Sequence, residues 1–172
     1  MILKAFKQKS NKDYVNTILD KRVGQIDGCK LKSAAVLLNR AEFNDAERFR
    51  SFLKELGLSS AKNRVVFFAD NEQEAQKQWA PYFSGRDFGW NGRIKNADLQ
   101  EFIEETYDVL IAYYSDDLSE MHQIVAMSKA KFKVGLHSHD ERLFDLIVSV
   151  ATNQFEVFKD EFKKYLKILK KI

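Results

Sequence analysis

The stretch Asp108–Leu136, DVLIAYYSDDLSEMHQIVAMSKAKFKVGL, constrains the fold more than any other. Val109–Tyr114 is a short apolar run of β-branched and aromatic residues, the composition of a strand buried on both faces. Leu118, Met121, Ile124, Val125 and Met127 then recur at helical spacing, with Ser115, Asp116 and Asp117 before them as expected capping residues. After the basic helix end at Lys129 and Lys131, Phe132–Leu136 reads as a second short strand. Strand, helix and strand within about 30 residues is the size of a parallel crossover unit. Such a unit predicts a twisted, mostly parallel sheet with this segment near its middle.

The same alternation runs through the rest of the chain. Ala34–Leu38 is an expected first strand ending at Asn39 and Arg40, and Val65–Ala69 a second ending at Asp70 and Asn71. Between them Phe43, Ala46, Phe49, Phe52, Leu53 and Leu56 mark a helix, with Asn44 or Asp45 as its cap and Gly57 as its stop. A short helix is expected over 72–79, before Pro81, and another is opened by Asp98. A last strand is expected over 143–150. Near the start, Tyr14, Val15, Ile18 and Leu19 suggest a short helix beginning around Asn11. The chain closes on an amphipathic helix within 153–172, with Phe155, Phe158, Phe162, Tyr165, Leu166 and Leu169 on one stripe. No linker, repeat or low-complexity tract interrupts the 172 residues. One α/β domain over 1–172 is therefore expected, a three-layer Rossmann-like or flavodoxin-like fold with helices on both faces and residues 1–30 packed onto it as a helix and turn.

Composition narrows the function classes. Hydrophobic content of 45% with 31% charged residues suits a globular protein. No apolar run approaches the roughly 18 residues that cross a bilayer, and the opening residues are too short for a signal-peptide core. Cys29 is the single cysteine, which excludes an intrachain disulfide and points to a reducing cytoplasm. A formal net charge of +3 hides lysine-rich ends: Lys4, Lys7, Lys9 and Lys12 at one, Lys163, Lys164, Lys167, Lys170 and Lys171 at the other. These form a candidate basic patch for RNA or the ribosome, or simply solvated helix faces.

Three constellations are candidates for function. In an open parallel sheet, ligands bind beyond the carboxyl ends of the strands. Asp70, Asp116, Asp117, His137 and His139 fall there, a possible metal or polar-ligand set with the histidines as acid–base groups. The loop 82–96 is the second. Arg86, Phe88, Trp90, Arg93 and Lys95 set flat rings among cations, which suits anchoring a partner protein or stacking on bases. The basic patch is the third. No Gly-x-Gly-x-x-Gly turn follows the first strand, and neither a Gly-x-x-x-x-Gly-Lys-Ser/Thr loop nor a Gly-x-Ser-x-Gly elbow is present. No cofactor is therefore expected, and there is no DNA-binding motif.

Phe88–Lys95, Asp108–Tyr114 and Ser128–Gly135 together resemble an uncharacterised domain family of Bacteroidota, over nearly the whole chain. That resemblance implies a bacterial cytoplasmic protein and no particular activity. Tyr107–Tyr114 with Ser128–Gly135 is also similar to one strand–helix–strand segment of heptosyltransferase-type glycosyltransferases. The nucleotide-sugar domain of those enzymes has no counterpart in this length, so no transferase activity is implied. The expected function is a non-catalytic interaction module, binding a protein or ribonucleoprotein partner through the Gly/Trp loop and the basic ends. The alternative is a small ligand- or metal-binding enzyme working through the acidic and histidine-bearing strand-end loops.

Overall fold

The computed structural model describes residues 1–24, 26–70, 82–137 and 140–172. The expected helix over 72–79 and the candidate ligand His139 lie outside the described residues. In chain order the elements are α1 (Ile2–Lys21), β1 (Ala34–Asn39), α2 (Ala46–Glu55), β2 (Arg64–Phe68), β3 (Tyr82–Phe83), α3 (Ala97–Glu104), β4 (Val109–Tyr113), α4 (Ser119–Met127), β5 (Phe132–Gly135), β6 (Leu146–Ile147) and α5 (Phe155–Ile168). The six strands form one sheet in the order β3-β2-β1-β4-β5-β6, with every pair parallel. Strand order reverses between β1 and β4, which is the doubly wound Rossmann arrangement. β4 is central, as the opening stretch predicts.

Both sheet faces are covered, so β1 and β4 are buried along their whole length. Val36, Leu38, Ile111 and Tyr113 turn to one side and meet α2 and α5. Leu37, Leu110, Ala112 and Tyr114 turn to the other and meet α1, α3 and α4. The first layer is largely aromatic. Phe49 lies 5.0 Å from Tyr113 and 4.9 Å from Phe155, ring centre to ring centre, and both pairs are edge-to-face. The Tyr113 hydroxyl donates to the Thr152 carbonyl at 2.9 Å, so this buried polar tip is satisfied. Burial pushes that phenol's pKa up to about 12.

Local chemistry sets the helix ends. Asp45 caps α2 by accepting from Arg48 N. Gly57, at φ 76°, ends it: Gly57 N donates to Lys54 O and Leu58 N to Leu53 O, the paired bonds of a Schellman stop. Asn96 rather than Asp98 caps α3, accepting from Asp98 N and Leu99 N while its amide donates to Asp87. Asn96→Ala should cost about 1 kcal/mol, seen as a lower urea midpoint with unchanged m-value.

Three expectations are corrected. α1 begins at Ile2, nine residues before the expected start, because its first half carries no buried stripe to announce it. The expected last strand over 143–150 contributes only Leu146–Ile147 to the sheet. Asp145, just before it, turns inward to pair with Arg22 at 2.6 Å and accept from Lys133 N at 2.8 Å. Ser115, Asp116 and Asp117 do not cap α4. Its N-cap is Leu118, with no side-chain bond, since the first two of those residues are held elsewhere.

Candidate functional site

At the reversal of strand order, where this fold class opens a crevice, the chain fills the space with its own carboxylate. Glu42 reaches from the loop after β1 to the loop after β4. Its carboxylate accepts from Ser115 N at 2.8 Å, Ser115 Oγ at 2.5 Å and Asp116 N at 3.0 Å. Asn39 Nδ2 donates to Glu42 at 2.8 Å and to Asp116 Oδ2 at 3.0 Å. Burial works to raise the Glu42 pKa, but the donors of Ser115, Asp116 and Asn39 outweigh it and hold the carboxyl below its ordinary value.

Open space lies to one side of this plug. A cleft of about 630 Å³ runs between α1, the β4–α4 loop and residues 140–143, within the size range of small-molecule sites. Its apolar floor includes Val15, Leu19, Leu118 and Leu143, and Lys12, Asp117, His122 and Arg142 stand around it. His122 Nδ1 is 3.4 Å from Asp117 Oδ1, and its ring lies 5.8 Å from that of Tyr114. The Tyr114 hydroxyl is buried with no hydrogen-bond partner among the described residues. Desolvation, with Asp117 and Glu42 adding to it, pushes that phenol's pKa far up. Arg142 is tied to Asp140 at 2.6 Å and to Asp20 at 2.5 Å, so one wall is braced onto α1. The Arg142 guanidinium holds the Asp140 carboxyl below its ordinary pKa despite partial burial.

The expected ligand set is thus divided. Asp116 turns into the Glu42 network, whereas Asp117 turns into the cleft. Asp70 is exposed at the end of β2, and His137 is exposed beyond β5. Three strand spacings separate β2 from β5, about 14 Å, so Asp70 does not share a site with His137. Among the described residues no group of three His, Cys, Asp or Glu side chains could hold a metal ion. Sequence pattern alone does not mark Glu42 or His122. Glu42 sits four residues past the end of a buried strand run, and His122 one helical turn after an acidic strand end.

The Gly/Trp loop is a tight hairpin. Phe88 and Ile94 form an antiparallel bridge, Arg93 N donates to Trp90 O, and Asn91 and Gly92 between them have φ of 50° and 75°. Positive φ at both central positions is the geometry that favours Asn-Gly. The hairpin already has a partner, which is α1. Lys7 Nζ donates to Phe88 O at 3.1 Å, Asn11 Nδ2 to Gly89 O at 2.9 Å, and Gly92 N to Asn11 Oδ1 at 3.0 Å. Ser10 bonds to Asn91, and the Tyr14 ring lies directly on Gly92. Of the five expected contact residues, Phe88 belongs to the core and anchors the hairpin from inside. Trp90 is 48% exposed, and Arg86, Arg93 and Lys95 are exposed beside it.

The expected basic patch is also divided. Lys171 is buried, its ammonium bonded to Asp27 at 3.0 Å and held 5.2 Å from the Phe132 ring centre. Its burial follows from closing residues 27–31 onto the end of α5, where Leu31 N also donates to Lys171 O. Lys163 shares Glu55 with Lys159, and Lys164 pairs with Glu161. Lys167 and Lys170 remain on the exposed surface.

Sheet order and layering define the molecule as a Rossmann-like α/β protein. Within that class it belongs to a family of unknown function (DUF6913), whose model matches residues 7–169. Neither a curated protein nor a solved structure matches the chain. No helix among the described residues is long and apolar enough to cross a membrane.

Proposed function

We propose that the protein is a non-catalytic interaction module of the bacterial cytoplasm, of the kind found in Bacteroidota, that docks a partner protein through the first half of α1 with Trp90 beside it. One observation carries this reading. None of Ile2–Ser10 is buried, and Ile2, Leu3 and Phe6 are 74%, 73% and 58% exposed. A helix start whose apolar residues Ile2, Leu3 and Phe6 stand in water gains little stability alone, and exposed apolar clusters mark interaction sites. The hairpin fixes the helix at Lys7, Ser10, Asn11 and Tyr14, so the segment before it is aimed as a rigid probe. An apolar groove with an acidic rim fits it, the rim meeting Lys4, Lys9 and Lys12.

The test compares wild type with a combined Ile2→Ser, Leu3→Ser, Phe6→Ser variant and with Trp90→Ala, each crosslinked in cells and purified. The substituted side chains are exposed, so stability should change by less than about 0.5 kcal/mol per site. A single protein captured by wild type and lost from both variants, at unchanged Tm, is the expected outcome. Capture that survives the triple substitution refutes the reading, and so does recovery of the wild type alone with lipid vesicles.

A second reading is favoured by the cleft beside His122: a binding site for a small polar ligand at the carboxyl edge. Its support is the pairing of His122 with Asp117 over an apolar floor. A ligand screen by thermal shift should then find compounds whose stabilisation disappears in His122→Ala. Hits that stabilise that variant equally would count against it.

A further inference from the structure

The opposite edge of the sheet carries a second cavity, of about 730 Å³, between the end of α1 and the α4–β5 connection. Five cationic residues line it, Lys21, Arg22, Lys129, Lys131 and Lys133, against the one carboxylate of Asp27. We propose that this cavity binds a small multivalent anion of the phosphate class, such as a short oligophosphate or a phosphorylated metabolite. The proposal is independent of the docking surface and of the His122 cleft.

Lys133 is the central observation. It lies in β5 and is 4% exposed, yet among the described residues its ammonium has no carboxylate within hydrogen-bond distance. Nζ donates to the carbonyls of Val125 at 2.6 Å and Ala126 at 3.4 Å, the last turn of α4. A lysine carries three donors, so two carbonyls do not exhaust it. Burial first, and the nearby Arg22 charge second, push its pKa down to about 8, with Asp145 opposing them. An anion in the cavity would favour the charged form of this buried lysine.

The surrounding cations differ in how far they are already neutralised. Arg22 is paired with Asp145 at 2.6 Å and Lys131 with Asp108 at 3.0 Å, while Asp27 is taken by Lys171. Lys21 and Lys129 make no ion pair among the described residues, which leaves them for a ligand. Concavity favours a compact anion over a polymer. Nucleic-acid backbones are met by cations strung along a groove or stripe, whereas these line one shallow depression.

Calorimetric titration of the intact protein with inorganic phosphate, tripolyphosphate and ATP, at fixed ionic strength in chloride, tests the site. Tripolyphosphate should bind saturably at one site and at least tenfold more tightly than phosphate. ATP binding like tripolyphosphate would mark a nucleotide source; ATP binding markedly weaker would mark free oligophosphate. Lys21→Ala with Lys129→Ala should weaken the polyanion at least tenfold. Lys167→Ala with Lys170→Ala, an equal charge change on α5, should leave it within twofold. Equal losses in the two variants overturn the proposal, as does the absence of saturable binding below about 1 mM. Saturable binding of a single-stranded RNA without tripolyphosphate binding overturns it too.

Discussion

Gly92→Ala is expected to destabilise the protein by about 2–4 kcal/mol, a large effect for one methyl group. Two causes add. At φ 75° the residue occupies the left-handed region, where a side chain costs about 1–2 kcal/mol. A Cβ there would also overlap the Tyr14 ring atoms Cδ1 and Cε1. Tyr14 is partly exposed and can swing aside, but the bond from Asn11 to Gly89 and the bond Asn11 accepts from Gly92, on the same helix face, then lose their alignment. Chemical denaturation measures the loss. Hydrogen exchange should show amides near Lys7–Tyr14 deprotected before those of β1 and β4. In a Tyr14→Ala background the overlap is gone, so Gly92→Ala should cost only the backbone share, and the cycle should report a coupling of about 1–2 kcal/mol. A coupling near zero would mean that the helix and hairpin do not hold one another. The rigid presentation of Ile2, Leu3 and Phe6 would then lose its basis.

How legible the molecule is from its sequence depends on how locally each feature is determined. Val109–Tyr113, buried on both faces, needs no knowledge of its neighbours to be read as a central strand. Phe155, Phe158, Phe162 and Leu166 show their stripe in the same way, and Gly57 shows its helix stop. α1 is different. Only Asn11, Val15 and Leu19 of its twenty residues are buried, so Ile2–Ser10 gives no helical period to read. β6 is short because Asp145 answers to Arg22 and Lys133 rather than to the strand pattern around it.

The candidate site residues are the least legible, because their partners are far along the chain. Asp116 and Asp117 are recognisable as polar groups at a strand end, but nothing local indicates that one turns toward Asn39 and the other toward His122. Lys171 reads as one more terminal lysine until Asp27, over 140 residues earlier, is set beside it. Phe88 and Trp90, two residues apart in one loop, meet opposite fates: Phe88 is bridged to Ile94 and buried, whereas Trp90 opens the turn, its carbonyl accepting from Arg93 N, and stands outside. Composition could rank both as contact residues; only the clamp from α1 shows which one is left outside.

Glu42→Ala should cost about 2–3 kcal/mol, the scale of hydrogen bonds to a charged acceptor that leave partly buried donors behind. Ser115 N, Ser115 Oγ, Asp116 N and Asn39 Nδ2 all converge on this carboxylate, joining the loops after β1 and β4. Glu42→Gln is the sharper experiment. Its shape is retained, but one oxygen becomes an NH₂ aimed among donors, so it should lose nearly as much as alanine does. A structural account based on packing alone predicts instead that glutamine is tolerated. The pH dependence separates the two. Glu42 has a folded pKa below its ordinary value of 4.5, so the folded state binds this proton less readily than the unfolded chain does. Its contribution is complete above about pH 4.5 and disappears as pH falls through the folded value. The stability gap between wild type and Glu42→Gln should therefore be flat from pH 5 to 8 and close in stronger acid. A gap independent of pH down to 3 would show that the carboxylate charge does not hold the two loops together.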